Sequence, residues 1–117
     1  MSAATDLQAL LLATTAVTAL CGTRISSDRM EQGAARPFVV YSGTAEPQRT
    51  LDGSVHGTLT TFEIQCWGDS RASAEAVADA VQAACDGAHQ YITARAAGSD
   101  NELDLEAVVM TCLWWTD

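Results

Sequence analysis

Residues Thr58 to Trp67, TLTTFEIQCW, alternate with a period of two. Thr60, Phe62, Ile64 and Cys66 fall on one side, and Leu59, Thr61, Glu63, Gln65 and Trp67 on the other. Successive side chains of a β-strand point to opposite faces, whereas a helix would scatter Phe62, Ile64 and Cys66 around its circumference. The pattern therefore predicts a strand with one packed face and one half-solvated face, the habit of antiparallel sheets. Upstream, Phe38-Val39-Val40-Tyr41 is a compact apolar run between Gly33 and Pro37 on one side and Ser42-Gly43 on the other. It predicts a second strand over about Pro37 to Thr44. The connection from Ala45 to Gly57, AEPQRTLDGSVHG, holds Pro47, Asp52-Gly53 and Gly57 and reads as a polar loop with turns inside it. Hairpin loops usually have about 2–5 residues. A longer loop between two good strands is a natural place for a binding surface.

The rest of the chain supplies what this pair packs against. Leu7, Leu10, Leu11, Thr14, Val17 and Leu20 follow the spacing of one helical face, with Thr5 or Asp6 as the N-cap and Gly22 as the stop. Arg24-Ile25-Ser26 reads as a short extended piece. After Gly68, Asp69 or Ser70 caps a helix reaching about Cys85, with Val77, Ala80, Val81 and Ala84 as a narrow small-residue stripe and Gly87 as its stop. Tyr91 to Arg95 is β-like and short, and Gly98-Ser99-Asp100-Asn101 is a turn cluster. Leu103 to Trp115 is the last strand, apolar on both faces at its C-terminal end, and such a strand needs cover on both sides. The expected fold is α+β: an antiparallel sheet with two helices packed on one face, in the order α-β-β-α-β-β, as a single domain over 1–117. The expected core is Leu10, Leu11, Val17, Phe38, Val40, Phe62, Ile64, Val77, Val81 and Val109.

Composition narrows the function. The 117 residues carry 15 acidic side chains against 6 basic ones, all Arg, for a formal charge of −9. Affinity for phosphate comes mainly from Lys and Arg, so such a surface repels nucleic acid and anionic membrane. The apolar stretch from Leu7 to Gly22 is shorter than the ~20 residues of a membrane span, follows Asp6 and is interrupted by three threonines, so it reads as a helix of a soluble cytoplasmic protein. Cys21, Cys66, Cys85 and Cys112 form no C-x-x-C pair, and read as buried reduced thiols. No serine sits in a G-x-S-x-G elbow, no glycine run forms a phosphate loop, and His56 and His89 lack the spacing of metal ligands. Glu102, Asp104 and Glu106 read as one solvated acidic face of the last strand. These readings point away from an enzyme and from any metal or cofactor.

Three stretches taken together carry a family resemblance: Gln32 to Tyr41 (QGAARPFVVY), Arg49 to Gly53 (RTLDG) and Gln65 to Gly68 (QCWG). They follow a leucine-rich helix ending in Cys21-Gly22-Thr23-Arg24-Ile25, and precede an alanine-rich helix and an aromatic final strand. The chain resembles the small tail-completion or tail-terminator proteins of long-tailed bacteriophages, also called head–tail joining proteins, which occur too in prophages and gene-transfer-agent particles. The likeness spans nearly the whole chain. It departs in lacking Lys and in placing Glu31 where such proteins often have Pro.

The resemblance implies a virion protein of the phage neck, assembled in the host cytoplasm. It implies a ring, typically a hexamer, that caps the tail tube and joins it to the head–tail connector while DNA passes through without specific binding. The subunit or tail-tube interface is expected at Arg49, Leu51, Asp52, Val55 and His56 of the loop and at Trp114 and Trp115 of the last strand, with Leu51 the apolar anchor. The reading from another class is a small α+β ligand-binding or regulatory domain acting as a dimer, with Trp67, Trp114 and Trp115 lining a pocket. The charge balance yields a first test: the purified protein should show no tight, salt-sensitive binding to duplex DNA in a mobility-shift or anisotropy titration.

Overall fold

A computed structural model of the chain describes residues 3–27, 37–49, 55–100 and 105–116. Eight elements follow in order: α1 (Ala3–Ala13), α2 (Thr15–Cys21), β1 (Ile25–Ser27), β2 (Phe38–Arg49), β3 (Val55–Gly68), α3 (Arg71–Gly87), β4 (Ile92–Asp100) and β5 (Leu105–Thr116). The strands form one sheet in the order β1-β2-β3-β5-β4. β1 runs parallel to β2, and every other pairing is antiparallel. The fold is α+β as expected, but with three helices and a mixed five-stranded sheet. The short piece at Ile25 joins the sheet as a strand of its own.

The predicted first helix is two. Thr14 is extended (φ −88°, ψ 109°), and α1 and α2 meet there at 81°. The Thr14 hydroxyl donates to the Leu10 carbonyl at 2.7 Å, while its own carbonyl accepts from Val17 and Thr18 to start the next helix. Threonine side chains offer the backbone such local alternatives to a helix. The bend changes which residues face inward. Ala3, Leu7 and Leu11 are buried from α1, and Val17 and Cys21 from α2, whereas Leu10 is half-buried and Leu20 exposed. Gly22 then turns the chain at φ 61° and ψ −127°, a conformation open in practice only to glycine. No single described helix is long and apolar enough to cross a membrane.

The alternation in β3 is as read. Phe62, Ile64 and Cys66 are buried toward the helices, while Glu63 is exposed and Gln65 and Trp67 half-buried on the opposite, outer face. In β2 the phase is the reverse of the one expected. Val39 and Tyr41 join the helix-side core; Val40 is buried as expected but on the outer face, where Phe38 is half-buried. A run apolar at every position cannot fix its own phase. Here the register Val39↔Cys66 and Tyr41↔Ile64 fixes it. Val109, also expected in the core, shares the outer face with Val40 and is half-buried.

Of the stretch Ala45 to Gly57, the described residues 45–49 and 55–57 are strand, not loop. The ladder continues through Ala45↔Thr60, Glu46↔Leu59, Pro47↔Thr58 and Gln48↔Gly57 to an irregularity at Arg49↔Val55. Pro47 is tolerated because β1 pairs β2 only as far as Tyr41, so β2 is thereafter an edge strand among the described residues. At ~3.4 Å per residue a strand like β3 spans about 48 Å, close to the full 51 Å length of the molecule. Gly98-Ser99-Asp100 likewise belongs to β4 and is not a turn.

α3 is as read at its start. The Ser70 side chain accepts from the Ser73 N–H at 3.1 Å. The inward stripe is Ala74, Val77, Ala78, Val81 and Cys85, and Ala80 and Ala84 are half-buried beside it. Gly87 is still helical. The left-handed residue is His89 (φ 62°), with Gln90 N–H donating to Cys85 O and His89 N–H to Asp86 O, the bonding of a Schellman motif. Gln90 then serves β5 beyond the start of β4. Its side-chain amide accepts from Trp115 N at 2.8 Å and donates to Trp115 O at 3.1 Å.

All four cysteines are free and buried. Burial, with the neighbouring Cys21, pushes the Cys66 thiol up to about 12. The bond to Cys112, followed by burial, raises Cys85, and the same bond lowers Cys112. The Cys112 thiol in turn donates to the Gln90 carbonyl at 3.8 Å.

At the centre, Phe62 meets Tyr41 and Trp114 edge-on, with ring centroids 6.0 and 6.1 Å away. Its ring covers Gly43, where a Cβ would come within 2.7 Å of the Phe62 Cε1. Phe62→Ala should cost about 3–5 kcal/mol in a chemical denaturation experiment, from lost transfer energy plus a cavity. An unchanged midpoint would remove Phe62 from its place at the centre of the core.

Candidate assembly surface

The helices cover one face of the sheet, and among the described residues no helix lies on the outer face. At one end of it Phe38 and Trp67 stack with ring centroids 6.4 Å apart and 25° between planes, and Val40, Leu105 and Ala107 are buried. Along the middle runs a polar chain: Trp67 Nε1 donates to Gln65 Oε1 at 3.1 Å, and Gln65 Nε2 donates to Glu63 Oε1 at 2.8 Å. At the other end Leu113 and Trp115 are exposed at 38% and 37%. The register sets Trp115 opposite Leu59, and Leu113 opposite Thr61. The Trp115 ring lies over Gly57, where an added Cβ would sit 2.6 Å from its Cζ2.

That end is also the end of the β2–β3 hairpin, because Gln48 pairs with Gly57 and Arg49 with Val55. Of the residues expected at an interface, Arg49 ends β2, and Val55 and His56 open β3, so the fold gathers their backbones at this end with Trp115 nearby. Leu51 and Asp52 lie outside the described residues. Trp114 does not belong with them. It is 5% exposed and packs in the core against Phe62. Adjacent residues of a strand face opposite ways, so Trp114 and Trp115 cannot share a surface.

The same geometry separates the indoles of the pocket reading. Trp114 is on the helix side, while Trp67 and Trp115 lie on the outer face. Trp115 pairs with Leu59, and Leu59 and Trp67 are eight positions apart on β3, roughly 27 Å at strand rise. No pocket lined by all three exists among the described residues.

The charges here are acidic. Glu46 and Glu63 are exposed on the outer face. Two described arginines are turned elsewhere: Arg95 to Asp79 at 2.9 Å and to Gln82 at 2.9 Å, and Arg71 to Glu106 at 3.7 Å. No group of three metal-ligating side chains occurs among the described residues. What the arrangement offers is contact: an apolar platform with indole and leucine at its end, beside a long hairpin. Sequence reading missed Leu113 and Leu59 as parts of this platform. The signal was present in the alternation of the last strand, which places Leu113 and Trp115 on one side.

The Trp pair gives a second test. Trp114→Ala should destabilise the monomer by about 3–5 kcal/mol, whereas Trp115→Ala should cost about 1 kcal/mol or less, as surface substitutions do. Equal effects on the denaturation midpoint would contradict the opposite facing of the two rings.

A family model described as tail completion protein gp17 matches residues 5–117. Among solved structures, a chain of the virion of a native gene transfer agent particle superposes with a TM-score of 0.78 at 21% identity, covering 94% of this chain and 90% of that chain. At that identity the likeness is one of fold. No curated protein sequence matches the chain.

Proposed function

The chain belongs to the tail completion protein gp17 family, structural proteins of the phage virion tail, and on that premise we propose that its copies close into a ring, typically a hexamer, that caps the tail tube and meets the head–tail connector. The observation that carries this reading is the open end of the outer face. Leu113 and Trp115 stand exposed there on a strand whose other residues are buried or half-buried, beside a hairpin that runs the length of the molecule. An apolar platform of this kind is covered when the subunit meets another protein. The role is structural and needs no catalytic group. The acidic outer face suits a wall past which DNA slides, since Lys and Arg would grip it.

Two experiments test this. Light scattering with negative-stain imaging of the purified protein should find a closed ring, and a compact dimer would favour the ligand-binding reading. In a particle lacking the gene, a variant with residues 50–54 replaced by Asn-Gly should fold, because the β2–β3 ladder is complete without them. It should fail to complete tails. Fully infectious particles of normal tail length would show that the hairpin tip takes no part.

A further inference from the structure

A strand at the end of a sheet offers backbone N–H and C=O groups to its surroundings. Proteins that do not use such an edge keep it short, charge it, interrupt it with proline or cover it. β1 is only three residues long, and its Ile25 N–H and carbonyl are bonded to the Thr23 carbonyl and the Gln8 amide. β4 has nine residues, Ile92–Asp100, and among the described residues no strand lies beyond it. It contains no proline. From Ile92 to Ser99 its single charge is Arg95, which turns back to Asp79 and Gln82 of α3 at 2.9 Å each. Its one irregularity, between Ile92 and Ala94, is confined to its start.

The bonding of β5 shows which groups of β4 point outward. Leu113 N–H donates to the Tyr91 carbonyl, and the Gln90 side chain bonds both Trp115 N–H and Trp115 C=O. The odd-numbered residues of β5 therefore point their backbone groups toward β4. In an antiparallel ladder this pointing alternates from residue to residue. Ala94, Ala96 and Gly98, opposite Thr111, Val109 and Ala107, thus bond to β5. Arg95 and Ala97 turn their N–H and C=O groups to the open edge.

The two sides of this edge differ in chemistry. On the helix side, Glu75, Asp79, Gln82 and Asp86 follow the spacing of one stripe of α3, and Arg95 reaches its middle. Arg71 and Glu106 face each other at 3.7 Å on the same side, so this flank sets four carboxylates against two arginines. On the outer side Ala94 and Ala96 are exposed, and Tyr91, 56% exposed, stands at the row of Leu113. A strand laid along β4 would meet acid on one face and apolar groups on the other. From Glu75 to Asp86 the stripe is about 16 Å long, the span of about five strand residues or three side chains of one strand face. This chain supplies no such strand. Its basic residues are Arg24, Arg29, Arg36, Arg49, Arg71 and Arg95, and no two of them stand two positions apart. A second copy of β4 would bring its own acidic stripe to the same side of the joined sheet, where the two would repel.

We propose that the β4 edge takes a strand of another protein, one that alternates Lys or Arg, facing the α3 stripe, with apolar residues, facing Ala94, Ala96 and Tyr91. The probe is a blocked peptide of about seven residues alternating Arg and Val, long enough to cover the stripe. The control peptide has the same composition, with its arginines and valines in separate blocks. In calorimetric titration of the full-length protein, the alternating peptide should bind about tenfold or more tightly than the control. Ala97→Pro removes an N–H that points to the open edge and leaves the β4–β5 ladder complete. It should keep the circular dichroism spectrum and thermal midpoint of the wild type and lose about tenfold or more in affinity for the alternating peptide. Glu75→Gln with Asp86→Asn should weaken binding and lower its salt dependence. If the proline variant misfolds, amide exchange of the wild type replaces it, and the alternating peptide should slow the Arg95 and Ala97 N–H groups. Equal affinity for the two peptides, or an Ala97 N–H that exchanges as fast in the complex, would overturn the proposal. Wild-type dimers that Ala97→Pro takes apart would also overturn it and give the edge to a second copy. Rings that form but bind neither peptide would overturn it and leave the ring reading standing.

Discussion

The seat of Phe62 over Gly43 holds the rest of the structure in place. The ring lies across β2 where that strand lacks a side chain, and it touches Tyr41 on one side and Trp114 on the other. Three strands are thereby locked in register by one aromatic row, since a slip of one residue would turn Phe62 to the outer face. Tyr41 carries the lock to the helices. Its hydroxyl donates to Gln8 Oε1 at 2.7 Å, and Gln8 Nε2 donates to the Ile25 carbonyl at 3.0 Å. The first helix, the short parallel strand and the central hairpin are thus tied to one another through two side chains.

From that lock follows the division of the sheet into unlike faces. The helix face is a dry core of Val39, Phe62, Ile64, Met110 and the inward residues of α1, α2 and α3. The outer face is closed locally at the Phe38–Trp67 end and open at the Leu113–Trp115 end. A protein that folds alone needs only the first face. Leaving large apolar groups on the second is a cost in solubility, consistent with a subunit of a larger assembly. The −9 charge offsets that cost by keeping free subunits apart.

The ends of the sheet show how the long strands are terminated without loss of backbone bonding. β4 begins late, and the Gln90 side chain takes the place of a strand residue against Trp115. α3 delivers Gln90 to that point through a left-handed turn at His89. A histidine bears this conformation where glycine is usual, because backbone bonds from the Ala88, His89 and Gln90 N–H groups fix the turn.

Period-two alternation in TLTTFEIQCW determined the central strand and which of its faces is buried, since burial on one side leaves a strand no other register. Ser70 determined where α3 starts, and the apolar C-terminal stretch announced a strand, whose outer face stays open at Leu113 and Trp115. The charge of −9 set the expectation that the surface does not grip nucleic acid. Other features were open in the sequence because the deciding contacts are distant. Phe38 to Tyr41 is apolar throughout, so only pairing with β3 chose Val39 and Tyr41 for the core. The polar, Pro-containing run from Ala45 looked like a loop, and only a long partner strand made it a ladder. Of the expected interface, Trp115 was legible as an exposed group. Trp114 was not, because which of two neighbouring indoles is buried depends on which side the helices lie. The bend at Thr14 belongs to tertiary structure for the same reason: a straight helix satisfies its own backbone equally well, and only burial of Val17 and Cys21 in the core already holding Leu7 and Leu11 favours breaking it.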